Sequence, residues 1–122
     1  MYSAKLLDHF EHPRHAGELA APDNVVRVEN PVCGDVLELQ VRVENGRVAE
    51  VGFRARSCVP AMACASAVAE WLVGRPVEEA RQIRHDDVIA LVDGVPPASG
   101  HAADLAVDAV KEVLKKWIVN SG

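Results

Sequence analysis

Alternation of apolar and polar residues marks two consecutive stretches of the chain, at residues 36–43 and 48–55. A period of two is that of a β-strand with one buried face. Between these stretches lies Asn45-Gly46, a pair that tolerates the positive φ angles of a tight hairpin turn. A shorter apolar stretch at residues 25–29 ends before Pro31, which cannot donate a ladder hydrogen bond. The pattern therefore predicts three antiparallel strands.

After residue 55 the spacing of apolar residues changes to that of a helix. One stripe of the predicted central helix, which ends before Gly74, carries Met62, Ala65, Ala69 and Leu72. Helical spacing also predicts a first helix at residues 3–10, shorter helices at 76–83 and 86–91, and an amphipathic last helix at 103–119. Strands followed by helices are typical of the α+β class, with the helices on one face of a small antiparallel sheet. We expect a single domain over residues 1–122.

The composition narrows the classes of function. The 122 residues carry a formal net charge of -5, and the lysines and arginines are scattered. This distribution argues against binding to a nucleic-acid backbone or to an anionic membrane surface. No apolar run reaches the roughly 18 residues of a membrane span, and the first residues lack the pattern of a signal peptide. Three cysteines cannot all pair within one chain, which favours metal-binding or reactive thiols in a reducing compartment, so we expect a cytoplasmic protein.

Three separate segments carry residue types that bind transition metals. Gly34 lets the backbone turn between Cys33 and Asp35, so both side chains can face one ion. Cys58 lies between a strand and a helix, where unpaired N–H groups favour a thiolate. His101 precedes the last helix and offers an imidazole ligand for zinc or iron. Brought together, these four side chains form a ligand set. Taken singly, each is also compatible with a packed cysteine, a turn aspartate or an exposed histidine.

Other potential ligands are predicted to lie outside this set. Cys64 is six residues beyond Cys58, so on a helix it points about 240° away and lies about 9 Å further along the axis. We assign Cys64 to helix packing, with a redox or substitute-ligand role as the alternative. Three histidines near the N-terminus form a second cluster, at His9, His12 and His15. Because Pro13 interrupts any common helical face, we expect these histidines on the solvated surface.

Several short segments follow one another in a fixed order over nearly the whole chain. The first segments are Tyr2-Ser3, Asp8-His9-Phe10, Pro13-Arg14 with Gly17, and Pro31-Val32-Cys33-Gly34-Asp35. The later ones are Ser57-Cys58 with Ala61, Ala63, Ser66, Glu70 and Gly74, and Pro96-Pro97 through Asp108-Ala109-Val110. In their order and spacing, these segments resemble the U-type iron-sulfur cluster scaffold family, which includes the NifU N-terminal domain, IscU and SufU.

The resemblance implies a fold like that of the NifU N-terminal domain and a scaffold function, not an enzymatic one. Such a scaffold receives sulfur from a cysteine desulfurase, assembles a [2Fe-2S] cluster or binds iron, and passes its cluster to recipient apoproteins. Cys33 and Cys58 match the family's first two cluster cysteines, Asp35 its site aspartate, and His101 the histidine before its third cysteine. A homo-oligomer and contact with a DnaK-type chaperone and its co-chaperone are further expectations.

Two positions depart from the family pattern. Ala102 stands where the third cysteine belongs, which in the family is both a cluster ligand and the expected sulfur acceptor. The loop at residues 95–99 keeps two prolines of the chaperone-recognition motif without its lysine. The chain looks closer to IscU than to SufU, because the longer SufU insertion between Cys58 and Ala102 is missing. Ala102 favours an alternative function, a zinc-binding accessory protein of a cysteine desulfurase that builds no clusters. Persulfide relay through Cys58 alone is a third hypothesis.

Overall fold

The three predicted strands form one antiparallel sheet in a computed structural model that describes residues 1–31 and 34–117. The strands are β1 (Asn24–Asn30), β2 (Asp35–Glu44) and β3 (Arg47–Arg56), in the order β1-β2-β3. Residue Val28 pairs with Leu37, and Leu39 pairs with Phe53. Asn45 and Gly46 make the hairpin turn with φ angles of 54° and 75°, which confirms the predicted hairpin.

Five α-helices accompany the sheet in the described part of the chain. They are α1 (Ala4–Glu11), α2 (Val59–Leu72), α3 (Val77–Ala80), α4 (His85–Leu91) and α5 (Gly100–Leu114), with 3-10 turns at Pro97–Ser99 and Lys115–Trp117. Helix α2 packs on β3, and α5 packs on β1 and β2. Helix α1 packs against α2, and α4 packs against both α2 and α5. The fold is therefore the α+β arrangement that the sequence predicts.

Helix α2 is buried nearly all round, whereas the sequence predicted one apolar stripe. Its side chains include seven small ones between positions 61 and 69, all at most 3% exposed, namely Ala61, Ala63, Cys64, Ala65, Ser66, Ala67 and Ala69. Small side chains allow the surrounding elements to approach closely on every side. Met62, which was assigned to the buried stripe, is only partly buried. Helix α2 is thus the central element, and its N-terminus is held in a fixed place relative to the sheet.

The apolar residues of β2 lie in the core as predicted, but one polar residue is buried too. Leu37, Leu39 and Val41 are at most 3% exposed, and Gln40 on the opposite face is 4% exposed. The backbone N–H of Leu19 donates to Gln40 Oε1 at 2.9 Å. The segment at Leu19, which is 21 residues earlier in the chain, therefore covers Gln40 on the outer face of the sheet. The periodicity of the strand alone does not reveal this cover.

Three helix boundaries differ from the prediction. Helix α5 begins at Gly100, so His101 lies in its first turn and not before it. The α-helix ends at Leu114, and the predicted extension to residue 119 passes into a 3-10 turn and then outside the described residues. The helix predicted at 76–83 is limited to the four residues Val77–Ala80, and Arg84 beyond it is extended (φ -123°) as the N-cap of α4. Within residues 1–31 and 34–117, none of the helices has both the length and the apolar character needed to cross a membrane.

Candidate metal centre

Asp35 is held at the point where β2 begins. It pairs with Asn30 at the end of β1, and Gly34 before it has a φ of 72°. The Gly34 N–H donates to the carbonyl of Asn30 at 2.8 Å, which closes the turn between the two strands. The register thus fixes the Asp35 backbone, and its side chain is 3% exposed. Cys33, the predicted neighbouring ligand, lies outside the described residues.

Cys58 is the N-cap residue of α2, directly after β3 and Ser57. Its backbone is extended (φ -71°, ψ 167°), and the described structure shows no capping hydrogen bond from its side chain. The thiol is exposed, so it is free to react or to bind.

His101, in the first turn of α5, completes a group of three potential ligands. Its Nε2 lies 3.3 Å from Asp35 Oδ2, and its side chain is 28% exposed. Asp35, Cys58 and His101 each offer one ligand atom, and these three atoms lie within 4.8 Å of one another. The structure therefore brings together three of the four predicted ligands, from the start of a strand and the starts of two helices. They line a cavity of about 480 Å³, whose wall also includes Tyr2, Arg56, Ser57, Pro60 and Ser99.

The environment of the Asp35 carboxylate suits a cation. Ser57 Oγ donates to Oδ1 at 2.5 Å, while Oδ2 is buried and has no hydrogen-bond partner within the described parts of the chain. The His101 nitrogen is near Oδ2 but outside hydrogen-bond geometry. A buried oxygen without a donor costs free energy that a bound cation offsets. Thiolate sulfur, imidazole nitrogen and carboxylate oxygen are together a donor set that zinc and iron accept.

The sequence matches the family described as the NifU-like N-terminal domain over residues 1–121. The chain belongs to the NifU-like N-terminal domain family. Iron-sulfur cluster assembly scaffold protein IscU 1 of Archaeoglobus fulgidus is 34% identical over 122 residues, covering 100% of this chain and 80% of the relative. The scaffold protein IscU of Azotobacter vinelandii is 38% identical over 120 residues, covering 95% of this chain and 93% of the relative.

Solved structures of the family share the fold. The N-terminal NifU-like protein from Brucella abortus superposes with a TM-score of 0.77 at 20% identity, covering 93% of this chain and 91% of that one. A putative scaffold protein for the SUF system from Fervidobacterium islandicum also gives a TM-score of 0.77, at 18% identity, covering 93% of this chain and 96% of that one. The predicted NifU N-terminal-like fold is confirmed.

The remaining cysteine of this NifU-like domain is inert. Cys64 is 0% exposed within α2, so the predicted packing role is confirmed. Burial, with a smaller contribution from Cys58, raises the pKa of the Cys64 thiol to about 12. At neutral pH Cys64 is therefore a protonated core residue and not a nucleophile or a metal-binding thiolate.

One prediction for the N-terminal histidines is wrong. His12 and His15 are exposed as expected, but His9 is 4% exposed. Its Nδ1 lies 2.9 Å from the hydroxyl oxygen of Ser66 on α2. Burial, and then Arg14, lower the pKa of His9 below its usual value. His9 points to the core because it follows Leu6 by three residues on the inner face of α1, a spacing that could have revealed it.

The sequence did not reveal the surroundings of two residues near the candidate ligands, Ala102 and Ser57. Ala102 is 1% exposed and belongs to the hydrophobic core cluster. Ser57 contacts Asp35 directly, although the sequence analysis gave it no role. The signal for Ser57 is the strand register, because the ladder ends with Val36 paired to Arg56 and the next residues outward on the two strands are Asp35 and Ser57.

Proposed function

We propose that this chain is an iron-sulfur cluster assembly scaffold, which holds iron or a [2Fe-2S] cluster at Cys33, Asp35, Cys58 and His101 before transfer. The observation that carries this function is the convergence of Asp35, Cys58 and His101 within 4.8 Å, in a family whose relatives are named IscU scaffold proteins. Clusters with mixed sulfur and nitrogen ligands occur in proteins. The cluster is cargo here and not a resident cofactor, so the chain acts without catalytic turnover.

The exposed thiol of Cys58 is the proposed entry point for sulfur. A cysteine desulfurase would deliver the sulfur, and recipient apoproteins would take the finished cluster. Cys64 is unsuited to accept sulfur because its thiol is buried and protonated. The loop before α5, with the partly exposed Pro96 and the exposed Pro97, is the proposed contact for a DnaK-type chaperone. A homo-oligomer remains a prediction.

A second function is favoured by Ala102. If assembly needs a third thiol at this position, the remaining ligands would hold zinc, and the chain would be an accessory protein of the desulfurase. Zinc is redox-silent, and a closed zinc site contributes folding free energy without cluster chemistry. Position 102 carries no thiol, and comparison with Ala102→Cys tests whether cluster assembly needs one.

Anaerobic reconstitution with iron and sulfide tests both functions. The chain is compared with Asp35→Ala, with Ala102→Cys, and with Cys64→Ala as a matched control that removes a thiol outside the site. For a scaffold we expect visible absorption of a cluster and bound iron in the parent and in Cys64→Ala, with a changed cluster lifetime in Asp35→Ala. A cluster only in Ala102→Cys, with zinc in the parent, would establish the accessory function instead. Equal cluster lifetimes in Asp35→Ala and the parent would contradict the ligand assignment.

A further inference from the structure

Ser57 occupies a place that the strand register itself determines. Strands β2 and β3 pair as far as Val36 with Arg56, and one step further along the ladder places Asp35 opposite Ser57. In antiparallel strands such directly opposed residues have their Cβ atoms about 4.5–5.5 Å apart. The pairing therefore holds Ser57 within reach of the Asp35 carboxylate, whatever occupies the cavity.

The Ser57 hydroxyl makes one specific contact with this carboxylate. Its Oγ donates to Asp35 Oδ1 at 2.5 Å and lies 3.9 Å from the sulfur of Cys58. The other oxygen, Oδ2, is the one near His101 Nε2. The two carboxylate oxygens of Asp35 are therefore unequal, since Oδ1 is occupied by Ser57 and Oδ2 faces the group of ligands.

We propose that Ser57 is a positioning residue, which orients Asp35 so that only Oδ2 is available to a metal in this site. Hydrogen bonds from neighbouring groups to a ligating carboxylate fix its orientation, and their loss typically weakens metal affinity about 10- to 100-fold. The inference rests on the proposed function, because it assumes that Asp35 is a ligand. It adds a residue that acts on the metal through Asp35 and touches no metal itself.

A direct role of Ser57 as a ligand would have a different signature. The hydroxyl would then contribute to binding whether or not Asp35 is present. A positioning residue instead loses its effect once Asp35 is removed, because it has nothing left to orient. A double-mutant cycle measures this difference, since independent sites add and coupled residues do not.

Cobalt(II) binding to the full chain tests the proposal. Cobalt(II) is a spectroscopic substitute for zinc and iron, and its visible bands report the ligands and their geometry without any cluster chemistry. Dissociation constants and spectra are measured for the parent, Ser57→Ala, Ser57→Thr, Asp35→Ala and the Asp35→Ala/Ser57→Ala double variant. Asp108→Ala is the control, because Asp108 is an exposed polar residue of α5 that does not line this cavity. Far-ultraviolet circular dichroism checks that each variant is folded.

We expect Ser57→Ala to weaken cobalt binding about 10- to 100-fold and to shift the visible bands, while Ser57→Thr, which keeps the hydroxyl, and Asp108→Ala stay close to the parent. In the Asp35→Ala background, Ser57→Ala should have no further effect. If Asp35→Ala weakens binding but Ser57→Ala does not, the positioning role is wrong and the metal site stands. If the two losses simply add, Ser57 does not act through Asp35. If Asp35→Ala also binds like the parent, the proposed metal site itself fails.

Discussion

Replacing Asp35 with asparagine separates the cost of burying this carboxylate from its proposed use as a ligand. Asparagine keeps the shape and an oxygen that can accept the hydrogen bond from Ser57. It removes the charge from a side chain that is 3% exposed. Oδ2, which has no hydrogen-bond donor among the residues that the structure describes, is replaced by an amide group.

The expected effect has opposite signs without and with metal. A buried carboxylate oxygen without a donor costs about 1–3 kcal/mol or more, and a neutral amide loses less free energy on burial than an ion does, so we expect metal-free Asp35→Asn to be more stable than the parent by about 1–2 kcal/mol. For a chain of this size that raises Tm by roughly 4–8 °C. Zinc at 1,000 times its Kd stabilises the parent by about 4.1 kcal/mol, whereas binding weakened about 100-fold leaves the variant only about 1.4 kcal/mol. With zinc, the parent should therefore be the more stable protein.

Thermal or urea unfolding in EDTA and in excess zinc measures this reversal. Asp108→Asn is the control, because Asp108 is an exposed aspartate of α5 and its substitution should stay within about 0.5 kcal/mol of the parent in both conditions. If metal-free Asp35→Asn were less stable than the parent, the argument from the unsatisfied oxygen would be refuted. An unchanged order in zinc would refute the ligand role of Asp35.

Three further predictions address the core and the thiols. Burial lowers the pKa of His9, so the unfolded chain binds a proton at His9 more tightly than the folded chain does. The free energy of unfolding should therefore decrease as the pH falls below about 6.5. In urea unfolding at pH 5.5–7.5, His9→Gln should flatten this dependence of stability on pH. Native alkylation at pH 8, followed by mass spectrometry, should label Cys58 and spare Cys64, which should react only in denaturant. Gly52→Ala should destabilise the fold by about 1–3 kcal/mol, because its Cβ would lie 2.6 Å from the carbonyl oxygen of Gly17; equal urea midpoints would contradict this.

The sheet could be predicted from sequence because its pattern is local. One face of β2 is buried, so a period of two appears in the sequence, and Asn45-Gly46 marks the turn directly. Gln40 could not be predicted in the same way, since its burial depends on Leu19, which is 21 residues earlier in the chain. His9 differs, because its spacing from Leu6 on α1 could have revealed its burial, although its partner Ser66, 57 residues away, could not be predicted. Local periodicity identifies elements, whereas the burial of a polar residue depends on which distant segment covers it.

The candidate site was predicted only in part for the same reason. Turn chemistry and helix termini identified Asp35, Cys58 and His101 as potential ligands, but nothing local shows that three segments meet. Their convergence was an expectation from the family resemblance. In the structure, one ligand atom of each residue lies within 4.8 Å of the other two. Ser57 was missed because a serine before a cysteine has no evident role until the register sets it opposite Asp35.

The three candidate ligand side chains differ in exposure, and this difference bears on how cargo would leave the proposed site. Asp35 is buried at the start of β2 and tied to Ser57, so its backbone and one oxygen are fixed. Cys58 is exposed, and His101 is partly exposed, so the sulfur and the imidazole lie toward solvent. A thiolate that solvent can reach is also one that a recipient's thiol can replace by ligand exchange. Among these three described residues of the proposed site, Asp35 would therefore be the most firmly positioned side chain, and ligand exchange would begin at Cys58 before it reaches Asp35.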